Sequence, residues 1–283
     1  MNSKVILLGT GNPAPDPQRM GPSMAITSGS KAYIVDFGPG IVRRCQQAFE
    51  MGVESLAPNN IDRAFLTHLH SDHTIGYPDL MFTTWVMGRT GKLETYGPEG
   101  LGSMTDHIEK AYEQDKKVRV CGFEPVNLEA YGTVAHEIQS PKENQLVRCY
   151  EDDNIIVDAF KVNHGEGWTA LGYKFLTPDR SIVVSGDTAP YAPLIDLWSD
   201  CDVLIHEVYS AKGFANRSSQ WQKYHSHMHT SSAQLAEIAN QVKPKLLLLT
   251  HIMLWGATED ELLQEIKSCY QGKVICGEDL GQY

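Results

Sequence analysis

Within the run Thr67-His68-Leu69-His70-Ser71-Asp72-His73, four side chains that can ligate a metal fall inside six residues, directly after the β-rich stretch 63–67. Successive side chains of a strand alternate sides, so His68 and His70, two apart at a strand end, can point the same way. Asp72 and His73 turn with the following loop and suit a second ion nearby. Neutral imidazole nitrogens and carboxylate oxygens are the donors expected of Zn²⁺ in a hydrolytic site that must also leave a position open for water. The chain must therefore fold so that a strand ends in this loop.

Three other strand ends offer further ligands. His164 follows the stretch 155–163, Asp187 sits in Ser185-Gly186-Asp187-Thr188 after 181–185, and His251 follows 246–250. A lone histidine after a strand is ordinarily a satisfied structural residue. Three such positions together with the cluster favour a metal site.

The rest of the chain alternates strand and helix patterns. Strands are expected at 4–8, 23–27, 32–36, 63–67 and 92–96, then at 155–163, 171–176, 181–185, 203–206, 245–250 and 273–276. Helical spacing of Ile41, Val42, Cys45 and Phe49, of Leu80, Met81, Thr84 and Trp85, and of Leu235, Ile238, Ala239 and Val242 marks three helices. A fourth is expected over 99–114, and Thr258-Glu259-Asp260-Glu261 opens a fifth with a capping box. Residues 116–153 carry many charges and little periodicity, as an insertion or lid would. With no linker and no repeat, residues 1–283 are expected to form one domain.

Hydrophobic content of 42% and charged content of 21% suit a globular chain that can bury a core. A net charge of -11 argues against wholesale attraction of nucleic-acid phosphates or anionic lipid. No apolar run of about 18 residues is present, and the N-terminus has no signal-peptide plan, so a cytoplasmic protein without membrane contact is expected. The cysteines, with no CxxC pair, are expected to be small buried residues.

His68, His70, Asp72 and His73 match in full the HxHxDH motif of the metallo-β-lactamase superfamily, and the chain resembles that superfamily over nearly its whole length. Gly9-Thr10-Gly11-Asn12-Pro13, Asp36-Phe37-Gly38, His164, Asp187 and His251 follow in family order. The resemblance implies an α/β fold of the four-layer αββα type. It also implies two Zn²⁺ ions, with Mn²⁺ or Fe²⁺ as substitutes. His68, His70 and His164 would hold one ion and Asp72, His73 and His251 the other, with Asp187 bridging them beside a hydroxide.

Within the superfamily the chain is similar to the ribonuclease Z branch and its phosphodiesterase and arylsulfatase relatives. Leu204-Ile205-His206-Glu207 and His229-Thr230-Ser231-Ser232-Ala233 carry this narrower resemblance. It implies that Glu207 orients His229 and that His229 assists the leaving oxygen, so Glu207, His229 and Asp72 are the expected catalytic residues. His225 and His227 are neighbouring candidates. Two features depart from the branch: Ser71 stands where glycine is usual, and only 23 positions separate His164 from Asp187, too few for the branch's basic RNA-gripping arm.

The expected activity is a dinuclear zinc hydrolase using a metal-bridging hydroxide on a small ester, phosphodiester, sulfate ester or lactone. Trp85, Trp168 and Trp255 are candidate pocket walls. A small molecule is the expected partner, nucleic acid being disfavoured by charge and the missing arm, and the resemblance implies a homodimer. The alternatives are a ribonuclease Z-like endonuclease that processes tRNA 3′ ends, a β-lactam hydrolase, and a non-hydrolytic diiron redox or binding protein.

Overall fold

The computed structural model describes residues 2–283, which divide into two compact units. Unit 1 comprises residues up to Gly9, Pro15–Gln139 and Asp279–Tyr283; unit 2 comprises Thr10–Ala14 and Ser140–Glu278.

In unit 1, β1 (Lys4–Gly9), β2 (Ser23–Ser28) and β3 (Lys31–Val35) precede helix α1 (Ile41–Glu50), two short 3₁₀ turns and β4 (Arg63–Phe65). Then come α2 (Ser71–Thr74), α3 (Tyr77–Val86), β5 (Leu93–Pro98), α4 (Leu101–Ala111), α5 (Glu113–Cys121) and β6 (Thr133–Ile138). The sheet runs β1-β2-β3-β4-β5-β6; its first three strands are antiparallel and the rest join in parallel. Alternate residues Ile6 and Leu8 enter one core with the buried face of α1, made of Ile41, Val42, Cys45 and Ala48. The chain end returns to this unit, where Val5 and Tyr283 exchange backbone hydrogen bonds of 2.9 Å. The single helix expected over 99–114 is two helices parted at Tyr112, whose ring packs on Phe82 at 4.5 Å.

Unit 2 contains β7 (Val147–Asp152), β8 (Ile155–Lys161), β9 (Leu171–Leu176), β10 (Ser181–Val184), α6 (Leu194–Trp198) and β11 (Val203–Tyr209). These are followed by α7 (Ala211–Ala215), α8 (Ser219–Met228), α9 (Ser232–Val242), β12 (Leu246–Met253), α10 (Glu259–Lys267) and β13 (Val274–Cys276). The order is β13-β12-β11-β10-β9-β8-β7, and β10 to β13 are mutually parallel. Parallel strands deliver the residues at their carboxyl ends to the same edge of a sheet, the edge where α/β proteins place ligands. Here those residues are Asp187, Glu207 and His251. The strand expected to stop at 250 continues to Met253, because the β11–β12 register shifts between Glu207 and Val208 while His251 adopts φ 47°. Such a bulge re-aims one side chain without ending the strand.

Residues 116–153 hold the end of α5, β6 and β7. Among the described residues all six cysteines are free, and only Cys45 and Cys201 are buried, whereas Cys121 and Cys269 are exposed. The expectation of buried cysteines thus holds for part of the set. No helix among the described residues is long and apolar enough to cross a membrane.

Candidate active site

In unit 1 the motif loop hangs on Asp36, the residue that follows β3, with φ 62°. Its Oδ1 accepts the Thr67 backbone N–H at 2.8 Å and the Thr67 hydroxyl at 2.9 Å, and its Oδ2 lies 2.8 Å from His73 Nδ1. With Nδ1–H given to the carboxylate, His73 keeps Nε2 as its ligand atom, the arrangement that fixes tautomer and orientation in metal-binding histidines. His73 Nε2 is 3.5 Å from Asp72 Oδ2, and His68 Nε2 is 3.0 Å from His70 Nδ1. A second tie comes from the backbone: the Phe37 N–H donates to the His73 carbonyl at 2.8 Å and the Gly76 N–H to the Phe37 carbonyl at 2.7 Å. Gly76 must lack a side chain, because a Cβ there would lie 2.3 Å from the Gly38 carbonyl oxygen.

Asp36 was recognised in the sequence only as part of a family-like turn, and its role as the anchor of the loop emerges from these contacts. Asp36→Ala leaves three buried donors without their acceptor, at roughly 1 kcal/mol or more each. The expected result is a loss on the order of 3 kcal/mol in stability by urea unfolding. Metal affinity should also fall about tenfold to a hundredfold, as for other residues that orient ligands. Unfolding and metal titrations that match the wild type would show that the loop stands without it.

Unit 2 gathers the other half of the expected set around Asp187. Its Oδ2 lies 3.3 Å from His251 Nε2, 4.0 Å from His164 Nε2 and 4.0 Å from His229 Nδ1, and all four residues are buried. His164 is held by Nδ1, 2.8 Å from the Met228 carbonyl, which directs Nε2 toward the carboxylate. Glu207, 1% exposed, places Oε1 3.1 Å from His229 Nδ1 and accepts the backbone N–H groups of Thr188 and Thr230 at 3.2 Å each. Burial pushes the Glu207 carboxyl above its ordinary range, and the neighbouring His229 opposes that shift. His206, fully buried on the same strand, is held near pKa 4 by burial and is therefore neutral at pH 7.

Two groups of unit 2, His164–Asp187–His229 and Glu207–His229–His251, each bring three ligand atoms within 4.8 Å of one another. Nitrogen and carboxylate donors buried at this spacing fit a divalent cation of the Zn²⁺, Mn²⁺ or Fe²⁺ kind.

The three tryptophans have different places. Trp85 is 1% exposed in the core of unit 1, its indole N–H donating to the Asn127 carbonyl at 2.7 Å, so it is packed rather than presented to a ligand. Trp168 is half-buried and donates to the His164 carbonyl at 2.8 Å. Trp255 packs on His225 with ring centroids 4.3 Å apart. Of the three histidines in 225–229, His225 and His229 are buried and His227 is exposed.

The family profile described as a β-lactamase superfamily domain matches residues 32–252. The chain belongs to that superfamily. It is accordingly a metal-dependent hydrolase, as the ligand motif led us to expect. The superfamily member ribonuclease Z of Mycobacterium bovis (strain BCG / Pasteur 1173P2) is 27% identical, covering 98% of this chain and 96% of that protein. Among solved structures, the short form of human tRNase Z superposes with a TM-score of 0.73 at 23% identity, covering 99% of this chain and 98% of the other. The metallo-β-lactamase fold protein YhfI from Bacillus subtilis gives 0.72 at 19% identity, covering both chains fully. These two likenesses show the fold, and it is the α/β class expected from the sequence.

One expectation is overturned. A small molecule was the expected partner, yet the relatives matched along the chain are named ribonuclease Z, an enzyme of nucleic acid. The charge premise fails on physical grounds, because a net charge of -11 is a sum over the whole surface and does not set the potential at one segment. Residues 208–236 of this acidic chain contain no Asp or Glu and carry Lys212, Arg217 and Lys223.

Proposed function

We propose that this chain is a ribonuclease Z-like endonuclease, a metal-dependent phosphodiesterase that cuts precursor tRNA at its 3′ end. The observation that carries this reading is the buried Glu207–His229 pair, 3.1 Å apart beside Asp187, in a chain aligned from end to end with ribonuclease Z. A phosphodiester needs both a nucleophile and help for the departing oxygen. The ligand residues suit the first need and the pair suits the second.

The ligand set follows the division that the family resemblance implies. By that resemblance His68, His70 and His164 would hold one cation and Asp72, His73 and His251 the other, with Asp187 serving both and Zn²⁺ the natural occupant. Cations held by these residues would supply a water nucleophile near neutral pH and offset negative charge on phosphoryl oxygens. The protein's own residues do the rest. Asp36 and the Met228 carbonyl fix which nitrogen of His73 and His164 faces the ligand position. Glu207 holds His229 through Nδ1, which leaves Nε2 to exchange a proton with the leaving oxygen.

The interval between His164 and Asp187 is filled by the β9–β10 hairpin, in which Ser181 pairs with Leu176. RNA must therefore be gripped by other surfaces than an arm at that point. A precursor tRNA with a 3′ trailer, incubated with zinc-loaded protein, should be cut with release of the trailer. If protein shown by elemental analysis to hold its zinc leaves the precursor intact at micromolar concentration, the reading is wrong.

A further inference from the structure

Helix α8 begins after Ser218 and presents Trp221 and His225 four residues apart, with His229 a further four beyond, just past its last residue. Residues at this spacing share one helix face. The rings form a continuous path: Trp221 stacks on His225 at 5.4 Å with an interplanar angle of 20°, and His225 lies 5.6 Å from His229. Tyr224 meets Trp221 edge-on at 5.7 Å and approaches the His229 ring at 6.3 Å. Trp221 is 49% exposed and Tyr224 40% exposed, although large aromatic rings are normally drawn into a core.

Beneath them His225, only 7% exposed, has neither ring nitrogen hydrogen-bonded among the described residues and packs against Trp255. The Arg217 guanidinium sits 5.1 Å from the Trp221 ring centroid and 5.3 Å from that of Trp255. The other exposed residues of α8 are Ser219, Gln220, Lys223, Ser226 and His227, all polar. An apolar protein partner would find little to bury here. Exposed π faces beside a guanidinium, in a segment free of acidic residues, instead suit a base and its phosphate.

We propose that Trp221, Tyr224 and Arg217 form a stacking subsite for an unpaired nucleobase of the RNA, next to the phosphate handled by Glu207 and His229. This rests on the ribonuclease reading above. Trp221 and Tyr224 supply the rings, Arg217 the positive charge, and buried His225 braces Trp221 toward His229. A base held this way is bound through its face, so the subsite tolerates any base and rejects a missing one.

The test uses the full-length zinc enzyme and a cleavable precursor RNA, either intact or abasic at unpaired nucleotides flanking the cut. One stacked base is worth about tenfold to a hundredfold in affinity. Trp221→Ala and Tyr224→Ala should each raise KM for intact RNA by about that factor, with a smaller change in kcat. Trp221→Phe should restore most of the loss. On the abasic substrate the wild type should already bear the penalty, and the alanine variants should add little to it. Variants with wild-type KM on intact RNA, or with equal losses on intact and abasic RNA, would overturn the subsite while leaving the ribonuclease reading in place. A wild type that cuts neither RNA would overturn both.

Discussion

Asp187→Ala should abolish phosphodiester cleavage and strip the protein of most of its metal. The Asp187 carboxylate is the group that His251, His164 and His229 of unit 2 all approach, at 3.3, 4.0 and 4.0 Å. Removing it takes away the anionic donor and leaves those imidazoles converging on a site of lower affinity. A divalent cation contributes several kcal/mol to stabilising the transition state and also supplies the nucleophile. With each 1.36 kcal/mol worth tenfold in rate, the loss in kcat/KM is on the order of 10³-fold or more. Elemental analysis should show the metal content falling with the activity, and zinc should raise the melting temperature of the wild type far more than that of the variant. An Asp187→Ala protein that keeps its full metal content and turns over within tenfold of wild type would refute the assignment.

The candidate metal ligands are legible in sequence because their chemistry is carried by residue type and by position after a strand. His68, His70, Asp72 and His73 fall within six residues, and His164, Asp187 and His251 each follow an apolar run whose strand is present in the structure. Parallel pairing of β10, β11 and β12 then brings Asp187, Glu207 and His251 to one sheet edge. No local pattern announces that pairing, so the family resemblance was needed to join them. Asp36 shows a different limit. Its importance lies in accepting from Thr67 and facing His73 across a gap of more than thirty positions, and periodicity carries no signal for such contacts.

The segment 208–236 holds two helices, α7 and α8, that were not among the elements expected from the sequence. Helices α7 and α8 lack an apolar stripe of the usual kind: of the ten residues of α8 only His225 is buried. Hydrophobic spacing detects a helix by the face it buries, so a helix that displays Trp221 and Tyr224 to solvent escapes detection. The same segment explains why the inference from net charge failed. Acidic residues elsewhere set the total of -11, while this stretch has none.

His229→Ala should slow cleavage of RNA by about 10²- to 10⁴-fold in kcat, the range expected when a positioned general acid is removed. His229 also lies within reach of Asp187 and His251, so it could instead hold metal, and the dependence on leaving group separates the roles. A general acid matters most when the departing oxygen is a poor leaving group, as a ribose oxygen is, and least when it is a nitrophenolate that leaves unaided. The variant should therefore be severely impaired on RNA and much closer to wild type on bis(p-nitrophenyl) phosphate, with its metal content retained. Loss of metal together with equal damage on both substrates would assign His229 to the metal instead. Glu207 acts through His229, since its Oε1 lies 3.1 Å from Nδ1 and receives two backbone N–H groups that keep it in place. Glu207→Gln keeps the shape but weakens that hold, and a loss of roughly tenfold to a hundredfold is expected. Residues that act as a unit are non-additive, so Glu207→Gln combined with His229→Ala should be little worse than His229→Ala alone. Full additivity in that cycle would mean that Glu207 serves the site by a route that does not pass through the imidazole.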